Sequence, residues 1–359
     1  MSEQLPPSLS TAGSVPPEAD HPSPLQRGGP APGAPAGRRG RALSGAGGRS
    51  VGLVVALALL CVVGVATAGE RFASVDNLMT VLRLAAVVGV LSIGMTFVIT
   101  GGGIDLSVGS VLGLASVWAT TLATQTIAQD THWLVMVSTA LLVGTACGVV
   151  NGVLIAYGRV VAFMATLAML VAARGLAEII SNRRTQIVQV QPFLDAFQAD
   201  VLGIPVLVWV FALVAVAGWF VLNRTTFGRR TVAVGGNPEA ARLAGIAVRR
   251  HTAYLYALSG LTAGIAAVMM LARTTAGSST HGQLVELDAI AAVVVGGTLL
   301  AGGRGSIVGT VFGVLIFTTL TNVFVQNNLS SSAQAVAKGA IIVVAVLLQQ
   351  RLAARSRRT

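Results

Sequence analysis

Charged side chains are scarce in this 359-residue chain: Asp, Glu, Lys and Arg together make up 10%. A soluble domain carries about 25%, so this chain cannot clothe a water-facing surface with charge. Lysine is almost missing, with Lys338 the only one. Lys338-Gly339 has no glycine-rich stretch before it, which excludes a GxxxxGK[ST] phosphate loop. No ATP hydrolysis by that chemistry, and no cofactor, is expected in this chain. The two cysteines, Cys61 and Cys147, both sit inside apolar runs. They read as packing residues, away from a disulfide framework or a CxxC metal site. The histidines (His21, His132, His251 and His281) are scattered and no HExxH is present, so neither a metal site nor catalytic residues are expected. Proline is rare in most of the chain, since nine of the twelve fall before residue 50.

What is abundant is apolar: 54% of residues are hydrophobic and the mean hydropathy is +0.78. Apolar runs long enough to cross about 30 Å of hydrocarbon as helices recur along the chain. The strict alternation of a membrane β-barrel is missing. The expected fold is all-α, a polytopic transmembrane helical bundle in a lipid bilayer. It has about ten spans, near 51–68, 83–99, 105–124, 133–157, 160–180, 201–222, 251–273, 286–300, 305–325 and 333–350. Residues 1–49, rich in Pro, Gly and Arg, cannot bury a core and read as a disordered cytoplasmic tail. Ala66-Thr67-Ala68 resembles a signal-peptide cleavage site, but the many later spans favour an uncleaved first span. Ten crossings from a cytoplasmic N-terminus place the basic C-terminus, 353–359, in the cytoplasm too. That topology puts 17 of the 24 basic residues on the inner side, the bias expected of an inserted helical protein. The net charge of +11 then orients the chain in a membrane and gives no reason to expect nucleic acid.

Small residues supply the packing. Gly144, Gly148 and Gly152 form a double GxxxG, and Gly109/Gly113, Gly260/Gly264 and Gly309/Gly313 repeat the spacing. Residues four apart share a helix face, and glycine lets backbones approach. Arg174 and Glu178, also four apart, can pair on one helix face. Between two apolar runs lies GGGIDLSVGS, where Gly101, Gly102 and Gly103 permit a tight reversal and Asp105 can cap the following helix. A re-entrant segment lining a pathway is the alternative for the same residues.

The longest loop on the inner side of this topology, 223–250, reads NRTTFGRRTVAVGGNPEAARLAGIAVRR. Within it Asn237 suits an N-cap, Pro238 the first helical position, and Gly245 a stop. Glu239 complements the positive end of the dipole, and Arg242 lies nearer the negative end. About two turns result, either a connector at the membrane surface or a rigid knob offered to a partner. EAARLAG, Glu239 to Gly245, resembles the EAAxxxG signature of ABC importer permeases. The wider string FGRRTVAVGGNPEAARLAGIAV resembles the ribose-type sugar permeases, as do GGIDLSVGS, GVVNGVLIA (148–156), AFMATLAMLVAARGLAEII (162–180) and VVVGGTLLAGGRGSIVGTVFGVL (293–315). The resemblance covers about residues 51–352. It departs from the family at Val161, where a proline is usual, and in the long tail.

The resemblance implies a permease domain over 50–352 in a bacterial cytoplasmic membrane. It also implies a second permease subunit, in a homodimer or with a paralogue, two ABC ATPase subunits that bind ATP-Mg, and an extracytoplasmic sugar-binding protein. It assigns ATPase docking to Asn237, Pro238, Glu239, Ala240, Ala241, Arg242 and Gly245. The cargo expected is a monosaccharide moved by alternating access, with a nucleoside, a branched-chain amino acid or a signalling sugar as alternatives. Asn151, Trp118 and Phe163 are candidate pathway residues, since amides and aromatics suit a neutral polyol. An ion-coupled carrier acting alone is the alternative of another class, and the docking loop argues against it.

Overall fold

The computed structural model describes residues 46–341 and 343. The expected tail, apart from its last residues, the latter part of the tenth expected span and the C-terminus 353–359 lie outside the described residues. In chain order the helices are α1 (Ala46–Ala68), α2 (Glu70–Ala73), α3 (Val75–Thr100), α4 (Val108–Ala119), α5 (Leu122–Asp130), α6 (Leu134–Ala156) and α7 (Ala162–Ser181). Then come α8 (Gln191–Gln198), α9 (Val206–Arg224), α10 (Thr226–Gly236), α11 (Pro238–Leu243), α12 (Val248–Thr274), α13 (Val285–Val295) and α14 (Ile307–Gln326). Two minimal antiparallel ladders join β1 (Gln186–Ile187) to β4 (Ala276–Gly277) and β2 (Asp200–Val201) to β3 (Ile204–Pro205). The protein is an all-α polytopic membrane protein.

Seven helices among the described residues are long and apolar enough to cross a membrane: α1, α3, α6, α7, α9, α12 and α14. The third and eighth expected spans differ from single straight crossings. The third is α4 and α5, bent by 56°, because Thr120 closes one helix and Thr121 caps the next by accepting the Thr124 N–H at 3.3 Å. The eighth is α13, whose 11 residues rise about 16 Å, half a bilayer. Gly297 (φ +92°) follows its end.

Burial ranks the helices. In α3 and α12, 78% of the apolar stretch is buried, against 11% in α1 and 22% in α7 and α9. The first two form the centre, and the others present apolar side chains outward, as a hydrocarbon solvent demands. α6 packs along α12 through the glycines read from the sequence. A Cβ on Gly148 would lie 2.9 Å from Gly260 Cα, and one on Gly144 would lie 2.7 Å from Gly264 N. Polar side chains within α3 satisfy themselves locally: Ser92 Oγ donates to Val88 O at 2.8 Å and Thr96 Oγ1 to Ser92 O at 2.7 Å. Thr96 also meets Thr310 of α14 at 2.8 Å.

One end of the bundle gathers the close of α3, the start of α7, α11 and the start of α12. Gly101–Gly103, Ala162, Pro238 and Val248 line a common cavity there. The opposite end holds α5, α8 and the β1–β4 ladder, tied by Gln125 Nε2 donating to Ile187 O at 3.1 Å and Gln198 Nε2 to Ala272 O at 2.7 Å. Between the two ends, α4 and α13 begin side by side. A Cβ on Gly282, just before α13, would lie 3.0 Å from Gly109 Cα in the first turn of α4. α4 leads toward α5. α13 leads toward the loop 296–306, where the Gly303 N–H donates to Thr100 O at 2.9 Å. Helices broken at depth within a bundle are a feature of transporter interiors.

Candidate functional site: a capped helix over a glycine junction

α11 owes its stability to its two ends. Asn237 Oδ1 accepts the Ala240 N–H at 3.0 Å and Pro238 occupies the first position. At the other end the Gly245 N–H donates to Arg242 O and the Ile246 N–H to Ala241 O, each at 3.0 Å. Those two bonds are a Schellman closure, which needs a left-handed residue, and Gly245 supplies φ +81°. Ala241 is buried and anchors the helix, while Asn237, Pro238, Glu239, Ala240, Arg242 and Leu243 are exposed. Glu239 and Arg242 pair at 2.8 Å in full view of solvent, which contributes at most about 1 kcal/mol. Leu243 is 81% exposed. The helix is thus a rigid, capped projection with a charged pair and one large apolar side chain on its outer face.

The loop 223–250 holds a second helix, α10, that precedes it. Thr225 starts α10 by accepting the Gly228 N–H at 3.4 Å. Three glycines and two threonines in TFGRRTVAVGG oppose a helix by propensity, so packing decides. The glycines mark where backbones touch. A Cβ on Gly235 would lie 2.7 Å from Gly303 N, one on Gly302 2.9 Å from Gly102 Cα, and one on Gly303 2.8 Å from Gly236 Cα. Glycine pairs from the close of α3, the close of α10 and the loop 296–306 therefore meet beside Asn237. In the 101–103 turn only Gly102 takes a positive φ, +85°. Gly101 and Gly103 make room for Leu255 and for the Tyr256 hydroxyl of α12.

Asp105 follows directly and is buried (2% exposed). Its Oδ1 accepts the Ser107 N–H at 2.9 Å and the Ser107 Oγ–H at 2.6 Å, and its Oδ2 accepts Ser259 Oγ of α12 at 2.8 Å. Asn151 Nδ2 of α6 donates to Ser107 Oγ at 2.9 Å. The carboxylate is a knot joining the α4 entry to α6 and α12, and Ser107 holds the N-cap position of α4. Buried polar groups at such a depth are tolerated when they have partners, and of the buried side-chain polar atoms among the described residues only Asn151 Oδ1 lacks one.

This arrangement can be set beside known proteins. Residues 77–346 match the family described as branched-chain amino acid transport system / permease component. The ribose import permease protein of Escherichia coli (strain K12) is 39% identical over 303 residues, which cover 83% of this chain and 92% of that protein. The chain belongs to the ribose-type ABC permease family. The L-arabinose ABC transporter permease protein of Azospirillum brasilense is 36% identical over 280 residues (78% of this chain, 81% of that protein). The xylose transport system permease protein of Escherichia coli (strain K12) is 33% identical over 356 residues (81% of this chain, 88% of that protein). No solved structure matches the chain.

In this permease the three candidate pathway residues do not come together. Asn151 is fully buried in the Asp105 knot. Trp118, near the close of α4, and Phe163, at the opening of α7, lie toward opposite ends and are both exposed. The Arg174–Glu178 pair read from spacing is not formed. Glu178 pairs with Arg183 at 2.9 Å, while Arg174 Nη1 donates to the carbonyl of Ser279 and to that of His281 at 2.9 Å. The loop 278–284 before α13, 105 residues away at Ser279, offers Arg174 acceptors that no local spacing reveals.

Proposed function

We propose that this permease is the membrane-spanning subunit of an ATP-driven importer of a monosaccharide in a bacterial cytoplasmic membrane. Its partners are a second permease subunit, two ABC ATPase subunits carrying ATP-Mg, and an extracytoplasmic binding protein that delivers the sugar. The observation that carries this reading is α11: six residues, capped at both ends, anchored by Ala241 and exposing Glu239, Arg242 and Leu243. Asn237, Pro238, Glu239, Ala240, Ala241, Arg242 and Gly245 build the knob that an ATPase cleft receives. The relatives named for ribose, L-arabinose and xylose support the cargo class.

The proposed route from ATP to the pathway runs through these contacts. Nucleotide binding draws the ATPase pair together and moves α11. α11 stands on the glycine junction, where backbone touches backbone with no side chain to cushion a shift. Close-packed backbones transmit displacement rather than absorb it. The shift passes to the close of α3, to the loop that ends α13, and through the 101–107 turn to α4. Those are the two broken helices, so the interior opens to one side or the other in alternation.

The test is co-purification. The tagged chain is extracted from its native membranes in mild detergent, beside a Glu239→Lys variant, and partners are identified by mass spectrometry. An ABC ATPase recovered with the wild type and reduced in the variant is the expected result. A folded chain with no ATPase in several detergents contradicts the importer reading and favours a carrier acting alone.

A further inference from the structure

Charge is rare within the bundle, yet three charged side chains meet at one cavity of about 310 Å³. Arg174 and Glu178 of α7, Glu286 of α13, Ser110 of α4, and Thr280 and Gln283 of the loop 278–284 line it. Arg174 lies twelve residues beyond Ala162 and seven before Ser181. That sets it about 18 Å in from the α11 end, within the hydrocarbon thickness. The cavity is also where the broken helices begin. Ser110 sits in the first turn of α4 and Glu286 in the first turn of α13.

The fold uses some of these groups, Glu178 with Arg183 and Thr280 with Ser278 at 2.9 Å each, but leaves bonding capacity at the others. Glu286 is 8% exposed, and its carboxylate is held by its own backbone N–H and the charge of Arg174 against the like charge of Asp288, with no side-chain hydrogen bond or ion pair recorded to it among the described residues. Both hydrogen bonds of Arg174 leave from Nη1. Thr280 and Gln283 are exposed side chains at the mouth. A buried carboxylate with so few partners is costly at membrane depth, and such residues mark solute pathways. Lipid against the half-exposed Arg174 and Glu178 would be unfavourable, so this face of α7 borders water.

We propose that this cavity is the point in the permease where the passing solute is held, and that the solute class it takes is a neutral polyhydroxylated one. This rests on the importer reading. The Glu286 carboxylate, and Glu178 with the lone pairs its bond to Arg183 leaves over, accept hydrogen bonds from hydroxyls and disfavour an anionic solute. The guanidinium donates to hydroxyl or ring oxygens, and Gln283 and Thr280 do both. A site made of such groups discriminates against a solute that lacks a hydroxyl, because the unmatched partner stays unpaired.

The test uses the intact complex of permease, ATPase and binding protein in proteoliposomes. Radiolabelled ribose, arabinose, xylose, galactose and leucine are the probes, at saturating binding protein. The variants are Thr280→Val, Gln283→Leu and Glu286→Gln. For the sugar the wild type carries best, the expected result is a tenfold or greater loss of sugar accumulated per ATP hydrolysed. Binding-protein-stimulated hydrolysis stays within twofold, which a folding defect would not allow. Thr280 and Gln283 are exposed, so their variants keep the test decisive if Glu286→Gln does not assemble. Unchanged sugar-to-ATP ratios in Thr280→Val and Gln283→Leu overturn the site. A wild-type complex that accumulates leucine, or none of the probes, overturns the sugar-importer reading itself, and that outcome is read before any variant is compared.

Discussion

Replacing Asp105 separates two ideas about the turn that precedes α4. As a simple cap, Asp105 serves one backbone N–H. As a knot, it also holds Ser107 Oγ at 2.6 Å and Ser259 Oγ at 2.8 Å. Asp105→Ala strands the Ser107 N–H, a buried donor, at a cost of about 1–3 kcal/mol. The emptied space adds about 1 kcal/mol. The two hydroxyls recover part of the loss, since Ser259 can turn to a carbonyl one helical turn back. The net expectation is a loss of about 2–4 kcal/mol. Asp105→Asn keeps one oxygen for the Ser107 N–H and offers an NH2 to Ser259 Oγ, so its cost stays under about 1.5 kcal/mol. The assay is thermal exposure of the half-buried Cys147 thiol to a fluorogenic reagent, in a Cys61→Ser background in detergent. The midpoint should fall from wild type to Asn to Ala. Equal midpoints for the Asn and Ala variants would refute the knot, because among the described residues the Ser107 N–H bonds only to Asp105 Oδ1.

Other substitutions probe separate layers. Gly148→Leu forces a side chain where a Cβ alone would lie 2.9 Å from Gly260 Cα. It should destabilise the purified chain by about 1–3 kcal/mol or more, while Gly175→Ala, with nothing within 4 Å of its Cβ, should be neutral or slightly stabilising in the same melt. Gly245→Val places a β-branched residue at φ +81°, which costs about 1–2 kcal/mol. It should fray α11, reducing ATPase co-purification while leaving the thermal midpoint of the bundle nearly unchanged. Lys338 and Asp288 pair at 2.9 Å with only 20% and 25% of their side chains exposed. Lys338→Met should cost about 1–2 kcal/mol by leaving a largely buried carboxylate alone, and Lys338→Met with Asp288→Asn should recover most of the loss.

What could be read from the sequence was mostly local. The caps of α11 lie within nine residues of one another, from Asn237 to Gly245, and the chemistry of each is short-ranged. The GxxxG faces were legible because helical periodicity fixes which residues share a side. The breaks were not. Ala119-Thr120-Thr121-Leu122 interrupts no apolar run, so only the geometry at Thr121 reveals the bend. α13 is followed by Gly296-Gly297 and more apolar residues, and hydropathy alone cannot tell a half-crossing from a whole one. Asp105 looked like a cap because its partner at Ser259 lies 154 residues away. Arg174 looked like half of a local pair because backbone carbonyls, its actual partners, leave no mark in a sequence. α10 was hidden by its glycines, which argue against a helix until the close backbones at Gly302 and Gly303 give them a purpose.

The central claim is that α11 is the contact through which an ATPase drives this permease. It is tested most directly by cross-linking in native membranes. A cysteine placed at Leu243, with Cys61 and Cys147 changed to serine, is compared with one at Leu122, an exposed residue (78%) at the other end of the bundle. The account predicts a thiol-to-amine adduct between the Leu243→Cys chain and an ABC ATPase, and none from Leu122→Cys. No ATPase adduct at Leu243→Cys, or an equal one from both positions, would contradict it.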